Sequence, residues 1–283
     1  MQDVRVAAAQ ITSVVGQWAD NVETHRKYIH RAAEAGAQII CFPELSLSGY
    51  PTGDQIPRDL AQPLTGEVVQ AMVDLSAETG VIVLAGLLEL DPSGVVYNTQ
   101  VVASPSGTIS GYRKTHVPTS EIGRFYHGDD LPVFRLPQIT FGIQICYDSH
   151  FPEASTIQAL RGAEVIFLPH ASVGGPTTET HRAKRERWLR YMAARAYDNS
   201  LYVVVVNQVG HNGMTEFPGG TMALDPWGAV VAEAQAMVED ILVVDLSATT
   251  FKERRQSAEA FFTHFRRPEL YGQIVKPSRA VLD

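Results

Sequence analysis

The chain has 283 residues, with 23 Lys and Arg against 31 Asp and Glu, so its formal net charge is −8. A hydrophobic content of 45% and a charged content of 19% are typical of a globular protein and argue against disorder. The acidic balance argues against a nucleic-acid partner, because a surface that follows phosphates needs clustered Lys and Arg.

The first half of the chain alternates apolar, β-branched runs with amphipathic runs. In chain order we predict a strand over residues 4–9, a helix from 20 to about 35, a strand over 38–42, a helix from about 65 to 79, a strand over 81–87, and strands over 97–103 and 108–113. Asp20 is predicted to cap the first helix, and Gly36 to end it. The Ser-Pro-Ser-Gly turn between the last two strands predicts a hairpin.

The second half repeats this alternation. We predict a strand over 140–145, a helix from Pro152 to near Gly162, a strand over 165–168, a helix from about 178 to 199, a strand over 201–207, strands over 221–224 and 229–232, a strand over 241–245, and a helix over roughly 247–260. The turn at 225–228 predicts a second hairpin. Because crossover units and hairpins occur together, we predict one α/β domain over 1–283, with two mixed sheets packed face to face and helices outside.

The two cysteines, Cys41 and Cys146, are too few for a disulfide framework in a chain of this length and suggest reduced thiols in a cytosol. Residues 1–15 show no charged stretch followed by a long apolar one, and the longest apolar run, 201–206, is too short to cross a bilayer. We therefore predict a cytoplasmic protein without a membrane partner.

The sequence motifs of several common enzyme and nucleotide-binding classes are absent. The chain contains no GxGxxG after its first strand, no GxxxxGK[ST], no GxSxG, no HExxH and no CxxC. The nine His residues are scattered, which does not resemble a metal cluster. Catalysis by Cys, Lys and Glu side chains is the chemistry that these absences leave open.

Three predicted strands each end on a reactive side chain, namely Glu44, Lys114 and Cys146. Ligand sites of α/β folds gather at the carboxyl ends of strands. These residues are 70 and 32 positions apart in the chain, so only tertiary folding brings them together. We expect them to form one site.

The segments around these residues resemble the three motifs of the nitrilase superfamily of carbon–nitrogen hydrolases, in that family's order and spacing. They are Phe42-Pro43-Glu44, Tyr112-Arg113-Lys114-Thr115-His116, and Cys146-Tyr147-Asp148 with Phe151-Pro152-Glu153. The resemblance runs from Val4 to Tyr271. It implies an αββα sandwich, a homodimer with the tail from about residue 262 in subunit contacts, and neither a metal nor an organic cofactor.

The resemblance implies that Cys146 is the nucleophile, Glu44 the general base and acid, and Lys114 the oxyanion stabiliser. General chemistry supports these roles. A free Cys is mostly thiol at pH 7, so a carboxylate must accept its proton, while a Lys cation favours the thiolate. The Lys114 ammonium and the Tyr147 backbone N–H would stabilise the tetrahedral oxyanion.

Three further residues are site candidates. Glu121 matches a second Glu that the family often places after the lysine motif, where it orients the Lys. His170 follows the strand after which the family shapes its substrate pocket, and His150 lies four residues past the nucleophile. The run 181–187 is predicted to be a solvated helix face.

The residues after the nucleophile bear on the substrate. Tyr147-Asp148 resembles the amidase and carbamoylase branches, since true nitrilases commonly carry Trp-Glu there. Some members place an Arg three or four residues after the Cys to hold a substrate carboxylate, where this chain has Ser149 and His150. We therefore predict an amidase that converts a small carboxamide to a carboxylate and ammonia. An N-carbamoyl amine hydrolase, an aliphatic nitrilase and a catalytically idle metabolite-binding protein remain open as well.

Overall fold

The computed structural model describes residues 1–51, 57–174, 177–213 and 215–276. The earlier strands are β1 (Val4–Gln10), β2 (Ile39–Cys41), β3 (Ile82–Leu90), β4 (Val96–Ala103), β5 (Ile109–Arg113), β6 (Val133–Arg135) and β7 (Thr140–Ile143). The later strands are β8 (Val165–His170), β9 (Tyr202–Asn207), β10 (Val209–His211), β11 (Glu216–Pro218), β12 (Met222–Leu224), β13 (Val230–Glu233) and β14 (Asp240–Leu246). The α-helices are α1 (Trp18–Glu34), α2 (Glu67–Thr79), α3 (Pro152–Leu160), α4 (Thr178–Asn199) and α5 (Ala248–Gln256).

In the described residues, the strands form two six-stranded mixed sheets and one small hairpin, β10–β11. One large sheet has the order β14-β1-β2-β3-β4-β5, and the other has the order β13-β12-β9-β8-β7-β6. Helices connect the central strands of each sheet, so β1, β2 and β3 run parallel, as do β7, β8 and β9. Both predicted hairpins are confirmed as the antiparallel pairs β4–β5 and β12–β13.

The two sheets pack face to face over a shared apolar core. Val6 and Leu84 of the first sheet belong to the same buried cluster as Phe141, Phe167 and Val204 of the second. Along β1, alternate side chains point into this core or toward α1, and both sets are apolar, as expected for a strand covered on both faces. Because α1 and α2 cover one sheet and α4 covers the other, the predicted αββα sandwich is confirmed.

Helix ends follow local signals in most places. α2 ends at Gly80, which has a left-handed φ of 75°. α4 spans the predicted residues, and at its start the Thr177 side chain accepts a hydrogen bond from the Thr180 backbone N–H. The prediction that Asp20 caps α1 is wrong, because the helix begins at Trp18 and its N-cap is Gln17. Asp20 lies in the first turn instead, where the helix dipole favours a carboxylate.

The predicted last helix is too long, since α5 ends at Gln256 and Ser257 is extended. The chain turns here and brings Phe262 against Arg254 and Tyr197, so tertiary packing overrides the helical pattern. The sequence also did not reveal the short strands β6, β10 and β11.

None of the described helices combines the length and apolarity needed to cross a bilayer. The same residues contain no group of three or more His, Cys, Asp or Glu arranged to hold a metal ion. The features that position the candidate site are the loops after β2, β5, β7 and β8, which meet at one end of the sandwich.

Candidate active site

Glu44 lies in the turn after β2 and is fully buried. Its Oε1 accepts hydrogen bonds from Lys114 Nζ at 2.9 Å and from Asn98 Nδ2 at 2.8 Å. Its Oε2 accepts a hydrogen bond from the Ala171 backbone N–H at 2.8 Å. These donors belong to β4, the loop after β5 and the loop after β8, so the carboxylate is held from three directions in one orientation.

The turn that carries Glu44 packs closely against β3. Leu45 has a left-handed φ of 52°. The Gly86 backbone N–H donates to Ser46 Oγ at 3.1 Å, and the Leu47 N–H donates to the Gly86 carbonyl at 2.8 Å. A Cβ on Gly86 would lie 2.1 Å from the Leu45 nitrogen, so only glycine fits opposite this turn.

Lys114 directly follows β5, and its ammonium is buried between two carboxylates. Nζ donates to Glu44 at 2.9 Å and to the two oxygens of Glu121 at 3.1 and 2.8 Å. Burial alone would lower the pKa of Lys114, but the charges of Glu44 and Glu121 outweigh burial and raise it. Lys114 is therefore positively charged at pH 7.

Glu121 is almost fully buried and also accepts a hydrogen bond from the Tyr50 hydroxyl. Burial raises the pKa of Glu121, the Lys114 cation opposes this rise, and the Glu44 charge adds to it. Because Glu121 contacts the Lys114 ammonium with both oxygens, it has the geometry that the predicted orienting role requires.

Cys146 begins a 3₁₀ turn, Cys146–His150, and has a left-handed φ of 48° that is uncommon for a residue with a Cβ. Its thiol lies within electrostatic reach of Glu44, Lys114 and Glu121. Desolvation, followed by the Glu44 charge, raises the pKa of the Cys146 thiol well above its ordinary range. Lys114 favours the thiolate, as expected, but only partly offsets this rise. The thiol is therefore protonated at rest.

Asp148 connects the turn that begins at Cys146 to the loop that carries Lys114, a role that sequence reasoning missed. This fully buried carboxylate accepts through Oδ1 from Thr115 Oγ1 at 2.8 Å and from the His116 backbone N–H at 2.7 Å. It accepts through Oδ2 from the Tyr112 hydroxyl at 2.7 Å and from the Ile145 backbone N–H at 2.9 Å. One side chain thereby fixes the two loops relative to each other.

The structure places two predicted residues at the edge of the site. Tyr147 directs an exposed side chain against Phe151, with ring centroids 5.5 Å apart, so the part of Tyr147 beside Cys146 is its backbone. His150 is exposed, and its ring lies 4.7 Å from that of Tyr191 on α4.

His170 is buried at the end of β8, next to the Ala171 N–H that binds Glu44. Its Nδ1 lies 2.8 Å from the Leu168 carbonyl, and its ring lies 4.8 Å from Trp188. Burial lowers the pKa of His170 to about 4, so the ring is neutral at pH 7. A carbonyl can only accept, so Nδ1 carries the proton and Nε2 is an acceptor.

Two other residues near the site were not predicted. Asn98 is a polar residue within the buried strand β4, which is a signal that the sequence does offer. The predicted solvated face 181–187 is wrong at Lys184, which is buried and lies against Trp188 at the next turn of α4.

Residues 5–256 match the family model of the carbon–nitrogen hydrolases. The chain belongs to the carbon–nitrogen hydrolase family. It is therefore an enzyme that acts on carbon–nitrogen bonds other than peptide bonds, and the resemblance to the nitrilase superfamily is confirmed.

Two relatives and one solved structure illustrate this membership. The chain is 32% identical to an (R)-stereoselective amidase from Pseudomonas sp, over 86% of this chain and 85% of that protein. It is 30% identical to an N-carbamoylputrescine amidase from Solanum tuberosum, over 95% of this chain and 93% of the relative. The crystal structure of Saccharomyces cerevisiae Nit3, a member of branch 10 of the nitrilase superfamily, superposes with a TM-score of 0.81 at 26% identity, over 91% of this chain and 94% of that chain.

Proposed function

We propose that this protein is an amidase that hydrolyses a small carboxamide to a carboxylate and ammonia, with Cys146 as its nucleophile. The observation that carries the proposal is the buried contact between Glu44 Oε1 and Lys114 Nζ, 2.9 Å apart, beside the Cys146 thiol. A base, a cation and a nucleophile thus surround one position. The amidase relative at 32% identity supports the same reaction class.

The attacking step needs a base, because the Cys146 thiol is protonated at rest. Glu44 accepts the thiol proton while Sγ attacks the carbonyl carbon, and the carbonyl π electrons move to the oxygen. Concerted transfer avoids an isolated thiolate, which burial and the Glu121 charge would otherwise destabilise.

The tetrahedral oxyanion is stabilised by the Lys114 ammonium and the Tyr147 backbone N–H. Lys114 is already charged, so no proton has to move to create this stabilisation. Removing one such donor typically costs about 3 kcal/mol of transition-state stabilisation. Glu121 contributes through Lys114, because it holds the ammonium in place before the reaction begins.

Glu44 then gives its proton to the amide nitrogen, the carbon–nitrogen bond breaks, and ammonia leaves a thioester on Cys146. A water molecule attacks the thioester carbon while Glu44 accepts a proton from it. The carbon–sulfur bond breaks, and the proton on Glu44 returns to the sulfur. The Glu44 carboxylate thereby accepts and donates the proton in each of these steps.

A second candidate reaction is hydrolysis of an N-carbamoyl amine, which the 30% identical N-carbamoylputrescine amidase favours. The same three side chains would attack the ureido carbonyl, and the products would include carbon dioxide as well as ammonia. An aliphatic nitrile would be attacked by the same thiol at its nitrile carbon, whereas a catalytically idle protein would release ammonia from none of these compounds.

The test is a panel of amides, N-carbamoyl amines and nitriles scored for ammonia and carbon dioxide. We expect ammonia from small amides, no activity in Cys146→Ala, and activity retained in Cys41→Ala, whose sulfur is fully buried in the core. An active Cys146→Ala enzyme would refute the proposed nucleophile. Carbon dioxide in step with ammonia would establish the carbamoyl reaction instead.

We further propose that the protein is a homodimer whose contacts include the tail from about residue 262. Leu160 at the end of α3 is 50% exposed, and Leu270 and Ile274 in the tail are 65% and 58% exposed. Burying such side chains against a second subunit would remove apolar surface from water. Sedimentation equilibrium should show a dimer that Leu160→Glu weakens, and a monomeric wild-type protein would contradict the proposal.

A further inference from the structure

The loop after β8, residues 171–174, supplies one of the three donors that hold the Glu44 carboxylate. The Ala171 backbone N–H donates to Glu44 Oε2 at 2.8 Å. The other two donors, on Asn98 and Lys114, both contact Oε1 and come from β4 and from the loop after β5, on the side of the first sheet. The orientation of the Glu44 carboxylate therefore depends on where the second sheet places the loop after β8.

Ser172, the next residue of this loop, is held by Asn207 at the end of β9. The Ser172 backbone N–H donates to Asn207 Oδ1 at 2.9 Å, and Asn207 Nδ2 donates to the Ser172 carbonyl at 3.3 Å. Asn207 Nδ2 also donates to the Gly219 carbonyl at 2.8 Å. The Asn207 amide thus anchors the loop from the β9 side.

Lys184 anchors the same loop from α4. Its ammonium donates to the Ser172 carbonyl at 2.6 Å, to Ser172 Oγ at 2.9 Å and to the Val173 carbonyl. A lysine ammonium has three N–H donors, and these contacts use all three, so none is left for a ligand. Burial, and then the Arg187 cation, lowers the pKa of Lys184 to about 8, so the side chain is still largely charged at pH 7.

The burial of this ammonium depends on the position of the loop. Lys184 is only 4% exposed, and the three oxygens that it contacts belong to a hydroxyl and two backbone carbonyls. A buried charge costs free energy unless it is fully hydrogen-bonded. Because these hydrogen bonds are directional, the ammonium is satisfied only while Ser172 and Val173 stay where they are. Any movement of the loop away from Glu44 is therefore opposed by the desolvated charge.

We propose that Lys184 is a positioning residue, which fixes Ser172 and thereby holds the adjacent Ala171 N–H on the Glu44 carboxylate. Without this N–H, Glu44 keeps only the contacts at Oε1 and can turn about them. A shift of about 1 Å between reacting groups costs about 100-fold in rate. The proposal rests on the proposed amidase function, in which Glu44 is the base, and it adds a residue that touches neither the substrate nor the reacting atoms.

The experiment compares Lys184→Met with the same substitution at Lys252, an exposed lysine of α5. Methionine has nearly the length of lysine and can pack against Trp188, whose ring lies 5.4 Å from the Lys184 ammonium. On small amides, Lys184→Met should lower kcat by about 10–100-fold and leave KM within about twofold, because it disturbs the base and not the substrate contacts. Lys252→Met should behave as the wild type.

Urea denaturation establishes that each variant is folded under the assay conditions. If Lys184→Met does not fold, Lys184→Gln, which keeps a polar end but cannot reach the loop, takes its place with the same expectation. Unchanged kinetics in the folded variant would overturn the inference. A raised KM with unchanged kcat would also overturn it, because Lys184 would then act on the substrate.

Modification of Cys146 by methyl methanethiosulfonate measures the same effect without an amide, with Cys146→Ala as the blank. The Cys146 thiol is protonated at rest, so its reaction with this neutral reagent needs Glu44 to accept the proton. Intact-mass spectra should show modification slowed about tenfold or more in Lys184→Met and unchanged in Lys252→Met. Unchanged modification in Lys184→Met would overturn the inference.

The two assays separate this inference from the amidase function. Slower modification in Lys184→Met, with no ammonia from any amide in the wild type, would refute the amidase function alone. Normal amide turnover and normal modification in Lys184→Met would refute the positioning role alone. No turnover in the wild type, together with unchanged modification in Lys184→Met, would refute both.

Discussion

Replacing Asp148 by Asn tests how the two loops of the active site are held together. The Asp148 carboxylate accepts from the His116 backbone N–H at 2.7 Å on one oxygen and from the Ile145 backbone N–H at 2.9 Å on the other. Asparagine has one oxygen and one NH2 group, so in either orientation its NH2 faces a backbone N–H. One buried donor is then left without an acceptor, and the other contacts lose their charge assistance.

An unsatisfied buried donor costs about 1–3 kcal/mol, and the breaking of a buried charged contact costs about 3–5 kcal/mol in total. We therefore expect Asp148→Asn to lower the free energy of unfolding by about 3–5 kcal/mol. We also expect kcat to fall about 100-fold, because a shift of about 1 Å between reacting groups has an effect of that size.

Urea denaturation and ammonia-release kinetics at a temperature where the variant is folded measure these two quantities. Asp130→Asn is the matched control, since Asp130 is 60% exposed and pairs with Arg161 at the surface. Such exposed pairs contribute about 1 kcal/mol or less, so the control should keep its stability and kcat. A folded Asp148→Asn enzyme with unchanged kcat would refute the reasoning that this carboxylate positions the loops.

Two further predictions concern the backbone behind Glu44 and the response to acid. Gly86→Ala should reduce kcat about 100-fold, because its Cβ must displace the Glu44 turn. The added Cβ of Gly80→Ala meets no atom within 4 Å, so this control should lower the free energy of unfolding by only about 1 kcal/mol, for its φ of 75°. Equal kcat values for the two variants would contradict this prediction. Burial lowers the pKa of His25 and of His170 to about 4, so between pH 4 and the ordinary value of 6.5 the unfolded chain binds more protons than the folded one. The free energy of unfolding should be constant above about pH 6.5 and should fall between pH 6.5 and pH 4 by on the order of 3 kcal/mol for each imidazole. If His170→Asn lost stability toward pH 4 as steeply as the wild type, this assignment would be wrong.

Local signals account for the elements that were predicted well. α4 has a capping threonine before it and ends at Asn199, and both hairpins are marked by turn residues between apolar runs. The short strands β10 and β11 carry no such pattern, because only three residues of each pair with a neighbour. Pairing of that length is decided by tertiary contacts.

In the candidate site, too, some features follow from local sequence and others depend on tertiary contacts. Glu44, Lys114 and Cys146 could be named from the sequence because each follows a strand and lies in a recognisable motif. The bridging role of Asp148 depends on donors more than 30 residues away, and the burial of Lys184 depends on how α4 meets the loop after β8. Neither is encoded in local spacing.

The most direct test of the proposed mechanism is the mass of the intact protein during turnover of a slow amide. Acid quenching should reveal an adduct with the mass of the amide minus ammonia, located on Cys146 by peptide mapping and missing in Cys146→Ala. An adduct on Cys41 alone, or turnover without any covalent intermediate under conditions that trap thioesters, would contradict the mechanism.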